Sequence, residues 1–131
     1  MTIAYWCILI AAALPYLWIV IAKSSAPGYN NKDPRGWIAK QQENYRVRNA
    51  HAAHLNAFEA FAPFAAAVLM AQFAGVAPER ISMLAVTFIV LRVLHGVFYI
   101  ASVPLMRSLV WFGGLGCVVA LMAMAAMAVS G

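Results

Sequence analysis

Four long apolar stretches, at residues 2–22, 50–74, 81–102 and 109–129, dominate the chain. Each is long enough, at roughly 20 residues, to cross about 30 Å of hydrocarbon, so the pattern predicts four transmembrane helices. The first carries Pro15, which removes a backbone hydrogen bond and predicts a bend. Tyr5, Trp6, Tyr16 and Trp18 fall toward its two ends and read as interfacial anchors. The second helix is predicted to start in the polar region 41–46, before the bilayer, and to run to Phe73 with Gly75 as its terminator. Pro78-Glu79 suits the first turn of the third helix, because proline is tolerated there and a negative charge complements the helix dipole. Pro104 ends the third helix or interrupts it just after Ser102. Gly113, Gly114 and Gly116 then open the fourth, where small residues let membrane helices approach closely. Only the segment 24–44, rich in Pro, Gly, Asn and Asp, forms a connection of substantial length; it is predicted as a loop long enough to cover a site.

Composition sharpens the class. At 131 residues the chain is one domain, 1–131, but 65% hydrophobic and 10% charged residues do not suit a soluble one. The fold expected is an all-α integral membrane four-helix bundle. No Lys or Arg precedes the first apolar run, and no polar boundary with a small-residue cleavage site follows it, so it is expected to stay as a helix. Cys7 and Cys117 lie inside apolar helices and read as packing residues. No metal-ligand motif, phosphate loop or Ser/His/Asp order stands out, and basic residues confined to a membrane-flanking loop argue against a nucleic-acid partner.

The net charge of +5 is distributed unevenly. Lys23, Lys32, Arg35, Lys40, Arg46 and Arg48 lie in or beside the first connection, and Arg107 flanks the third; the other side has Arg80, accompanied by Glu79. The basic loops are therefore expected on the cytoplasmic face, with both termini opposite, and in a bacterium this is the inner membrane. A basic loop beside anionic lipid and a funnel for an anionic ligand both fit this charge.

Two sets of polar residues intrude into the apolar helices. On the second helix Arg48, Ala52, Asn56, Glu59 and Pro63 share an arc of roughly 80°, with His51 about 60° to one side of Arg48 and His54 roughly 120° away. On the third, Arg92, His95 and Tyr99 share about 60°. A mid-membrane carboxylate costs roughly 2.5–3.5 kcal/mol, so Glu59 must meet another helix, a cavity or a ligand. The structural alternative is an Arg92–Glu59 pair inside the bundle, since Glu59 is the only acid at that depth. Asn56 serves either an interhelical hydrogen bond or a ligand, and His54 a helix-to-helix or interfacial bond. Tyr99 reads as interfacial packing or a hydroxyl donor, and Arg107 as a contact to lipid phosphate or to substrate.

Asn56-x-x-Glu59-x-x-x-Pro63, then Arg92-x-x-His95-x-x-x-Tyr99, and Arg107 after a proline, together resemble the MAPEG superfamily, the membrane-associated proteins of eicosanoid and glutathione metabolism. Within it the likeness is to bacterial-type microsomal glutathione transferases. It covers the whole chain. The resemblance implies a homotrimer with glutathione sites between subunits at the cytoplasmic side, and a lipophilic electrophile or hydroperoxide arriving from the bilayer. By position it implies Arg107 as the catalytic group stabilising the glutathione thiolate, with Arg48, Asn56, Glu59 and Tyr99 binding glutathione. Arg35, His51, Arg92 and His95 are possible supporting residues, and no metal is implied. One departure stands out: the family commonly places Arg four residues before the motif Asn, and this chain has Ala52. Arg48 is one turn, about 6 Å, further along. A non-catalytic member that binds lipid or assists a partner is the rival expectation, and a transport component using Arg92 and Glu59 a third.

Overall fold

In the computed structural model, which describes residues 2–130, five helices follow in order: α1 (Thr2–Ser24), α2 (Pro34–Ala39), α3 (Tyr45–Phe73), α4 (Pro78–Ile100) and α5 (Pro104–Ser130). Four of them, α1, α3, α4 and α5, are long and apolar enough to cross a membrane. They form an all-helical bundle in which α3 and α4 make the central contact, α1 packs on one side and α5 on the other. The outer surface is apolar at Leu9, Val20, Met83, Leu105, Phe112 and Val119, as a lipid-facing surface requires.

The helix ends follow the expected chemistry. Asn44 caps α3 by accepting from Val47 N–H, and the helix starts ahead of its apolar run. Gly75 sits at φ +80°, the left-handed position where a Cβ is unfavourable, and Val76 N–H bonds back to Ala71 O to close α3. Pro78 and Pro104 open α4 and α5. Ser102 takes the left-handed position (φ 59°) after α4 that glycine takes after α3, and its hydroxyl accepts from Asn49 Nδ2 at 2.9 Å. Such a conformation costs a non-glycine residue about 1–2 kcal/mol, which the bond to α3 offsets.

Packing tightens where side chains are small. Ala4, Cys7 and Ala11 of α1 meet Phe64, Ala67 and Ala71 of α3 and Ile81, Ala85 and Phe88 of α4, with Cys117 and Leu121 of α5. Both cysteines are buried and free. Phe64 and Phe88 stack with ring centres 4.0 Å apart at the heart of this core.

Two expectations need correcting. Trp18 is not an interfacial anchor; it is buried, because Gly96 of α4 offers bare backbone against which the indole packs, and a Cβ there would overlap the ring. The segment 24–44 is not all loop. Asp33 accepts from Gly36 N–H and Pro34 starts the six-residue α2, whose Trp37 and Ile38 bury against Ala22, Val47 and Ala50. Tyr29 meets Trp37 edge to face and carries the Lys23 ammonium 5.0 Å over its ring. This small docked helix joins the basic ends of α1 and α3.

Candidate functional site

Asn56 and Glu59 of α3 and Arg92 of α4 meet at a cleft of about 140 Å³ between α3, α4 and α5. Asn56, Glu59 and Pro63 come from α3, Phe88 and Arg92 from α4, and Trp111, Gly114 and Leu115 from α5. Helical spacing explains the last set: Trp111, Gly114 and Leu115 lie four, seven and eight residues after Arg107, on one face of α5. Gly114 faces the Arg92 stem and the Phe88 ring, which stand far enough off to meet a Cβ there in ordinary contact.

Arg92 is 4% exposed and donates from Nη2 to Asn56 Oδ1 at 2.6 Å. The expected Arg92–Glu59 pair is thereby replaced: Asn56 holds the guanidinium, and Glu59, one turn along α3, is exposed at the cleft. Its carboxylate lies at the middle residue of α3, between Tyr45 and Phe73, with one side of the cleft open to the edge of the bundle.

Toward the basic end the same three helix faces continue past the cleft. Arg107, half-buried, lies with its guanidinium carbon 4.6 Å from the Tyr99 ring centre, and Tyr99 in turn meets the buried His95 edge to face at 5.6 Å. A guanidinium over a phenol ring is held by the ring quadrupole for about 0.5–1 kcal/mol and keeps its N–H groups free to donate in the ring plane. Ala52 is half-buried one turn above Asn56. Arg48, a turn further, is exposed, donates to Gln42 O at 3.4 Å and packs over Tyr45 at 4.6 Å.

The remaining sequence-derived candidates lie elsewhere. His51 stacks on His54 at 6.1 Å, and His54 donates from Nδ1 to Pro15 O at 2.6 Å. A carbonyl can only accept, so His54 carries its proton on Nδ1 and bridges α1 to α3 beside the proline, the helix-to-helix role anticipated for it. His51 thus belongs to this α1–α3 seam and not to the cleft walls. Arg35 is exposed on α2, whose buried residues pack on α1 and α3 away from the cleft. Trp111 and the Asn49–Ser102 bond were not singled out from the sequence; the spacing of Trp111 from Arg107 was the available signal.

A four-helix membrane protein with a buried arginine-amide pair at a cleft and a cation-aromatic stack on the same helices defines a narrow class. The chain belongs to the MAPEG family, whose model matches residues 3–127. No curated protein matches the chain, and no solved structure does.

Proposed function

We propose that this membrane protein is a glutathione-dependent transferase or peroxidase of the MAPEG type, acting as a homotrimer with Arg107 as its catalytic group. The observation that carries the reading is the Tyr99–Arg107 stack, on the helices that also supply Arg92 and Trp111 to the cleft holding Asn56 and Glu59, toward their basic end. Glutathione presents two carboxylates, an ammonium and a thiol. Glu59 takes the ammonium, Asn56 a backbone amide, Tyr99 the peptide, and Arg48 at the basic end a carboxylate. His95 and Arg92 hold Tyr99 and Asn56 in place. Arg107 faces the sulfur and favours its ionised form; each tenfold gain in thiolate needs about 1.4 kcal/mol, within reach of a half-buried guanidinium. The thiolate attacks an electrophilic carbon of a lipophilic substrate to form a thioether, either as the bond to a leaving anion breaks or by adding to a conjugated double bond whose far carbon then takes a proton. With a hydroperoxide it attacks the terminal oxygen, releases the alcohol, and a second glutathione converts the sulfenic acid to disulfide and water.

Assembly follows from Glu59. An exposed carboxylate halfway along a spanning helix costs roughly 2.5–3.5 kcal/mol against lipid, and a second copy covering the α3–α5 edge removes that exposure. The edge continues as an apolar groove of about 490 Å³ in which Ala66, Ala125 and Ala126 leave room between Leu69, Met70 and Phe73, an apolar surface that a neighbouring helix can cover. A single-chain cleft of about 140 Å³ is also below the ~300 Å³ of an ordinary ligand pocket, which fits a site completed by a neighbour. The excess of positive charge orients the basic end, and the cleft mouth with it, toward the cytoplasm, which in a bacterium makes this an inner-membrane protein.

A second reading, a non-catalytic family member that binds lipid or assists a partner, is favoured by one residue: Ala52 leaves the turn above Asn56 without a cation. Titrating purified protein with glutathione while following thiolate absorbance separates the two. Saturable binding with thiolate formation that disappears in Arg107→Ala and weakens in Glu59→Gln supports the enzyme. Binding without thiolate supports the second reading, and absence of saturable binding sinks the first.

A further inference from the structure

Arg46 and Arg48 stand two residues apart on α3 and therefore point to nearly opposite flanks, about 160° apart around the helix. Arg48 lies toward the cleft side. Arg46 lies at a separate groove of about 560 Å³ on the α1–α4 flank, walled by Ile21, Val97 and Ile100, rimmed by Ser24 and floored by Trp18. On α4 the groove residues Val97 and Ile100 are roughly 140° and 80° around the helix from Arg92, so this groove faces away from the cleft.

The groove is graded along the bundle axis. Its polar rim combines the first turn of α3, at Arg46, with the last residues of α1, and its apolar walls extend down to Trp18, six residues below Ser24 or about 9 Å. In a spanning bundle that rim falls at headgroup depth and the walls against the first carbons of an acyl chain. Charge selects the occupant. Seven of the nine Lys and Arg residues but only Asp33 and Glu43 among the acids lie at this end, so 7 − 2 leaves +5, the whole net charge of the chain. The N-terminal dipole of α3 adds to the attraction for an anion. At the adjacent end of α1 the Ile21 carbonyl is engaged by the Ser24 and Ser25 hydroxyls and the Ala22 carbonyl by Ser25 N–H.

We infer that this groove binds one anionic phospholipid per subunit, its phosphate on Arg46 and one acyl chain between Ile21 and Val97 down to Trp18. The lipid joins the ends of α1, α3 and α4 and takes no part in the chemistry proposed for the cleft. A zwitterionic lipid offers the same phosphate but brings a cation to a strongly positive surface.

The test follows the full chain in uncharged detergent micelles by native mass spectrometry and thermal denaturation, with phosphatidylglycerol or phosphatidylcholine added. One phosphatidylglycerol per subunit is expected to stay bound and raise Tm, with phosphatidylcholine about tenfold weaker. Arg46→Gln is expected to weaken phosphatidylglycerol about tenfold, whereas Arg80→Gln, the same charge lost at the far end, changes it less than about twofold. Val97→Trp, which fills the groove at constant charge, abolishes the bound lipid. Equal losses in Arg46→Gln and Arg80→Gln, or equal binding of the two lipids, overturn the site. So does competition by glycerol phosphate alone at the concentration of the whole lipid, because the groove then contributes nothing. Should Val97→Trp not fold, the two arginine variants decide.

Discussion

Arg92 Nη2 donates to Asn56 Oδ1 at 2.6 Å, joining the centres of α3 and α4 by a charged hydrogen bond inside an apolar bundle. The amide bonds the guanidinium without neutralising it, which leaves the exposed Glu59 carboxylate able to meet something from outside the chain. Removing the amide strands a buried cation, so Asn56→Ala is expected to cost about 1.5–3 kcal/mol and Asn56→Asp much less. Thermal denaturation in detergent, with an Asn56→Ala/Arg92→Met double-mutant cycle, checks this; additive effects of the two changes would deny the coupling.

Gly96 and Gly116 make a matched pair of glycine tests. A Cβ on Gly96 would overlap the Trp18 ring, while one on Gly116 meets open space. Gly96→Ala is expected to destabilise by about 1–3 kcal/mol through forced separation of α1 and α4. Gly116→Ala is expected to be neutral or to stabilise by up to about 1 kcal/mol through helix propensity. Pairing Gly96→Ala with Trp18→Leu should restore part of the loss, and failure of that rescue would place the clash elsewhere.

The Tyr99 ring and the Tyr99 hydroxyl have separable tasks. The ring carries Arg107, so Tyr99→Phe keeps the stack and is expected to raise the KM for glutathione several-fold with thiolate formation intact. Tyr99→Ala releases Arg107 and should lower kcat as well. Identical kinetic profiles for the two variants would deny the ring its positioning role.

Ala52 offers a gain-of-function experiment. It is half-buried one turn above Asn56, at the height between the cleft and the exposed Arg48. Ala52→Arg is expected to tighten glutathione binding about tenfold, the scale of one added charge-assisted hydrogen bond. Calorimetry with glutathione measures it, and an unchanged or weakened affinity would show that the carboxylates bind elsewhere.

The four spanning helices were legible in the sequence because each has an apolar run bounded by a specific stop or start, such as Gly75, Pro78 or Pro104. The stripe of Asn56, Glu59 and Pro63 was also legible, since positions on one helix fix their mutual angles. What a single helix cannot supply is how far its neighbour is rotated and shifted. That is why Arg92 was matched by depth to Glu59 when its partner is Asn56, and why Trp18, near a helix end, read as an anchor although Gly96 opens a place for it. The helix α2 was hidden for a similar reason: in a segment full of turn formers, it is the docking of Trp37 and Ile38 on Ala22, Val47 and Ala50 that holds it, and that surface exists only in the folded bundle.

The bond between Asn49 and Ser102 spans 53 residues. A ribosome adding 5–20 residues per second needs about 3–10 s to pass from one to the other. Through that interval α3 waits with its polar face unmatched, and the tether between its first turns and the end of α4 can be fastened only once α4 has been made. The order of synthesis thus makes the joining of α3 to the end of α4 a late event in the life of each new chain.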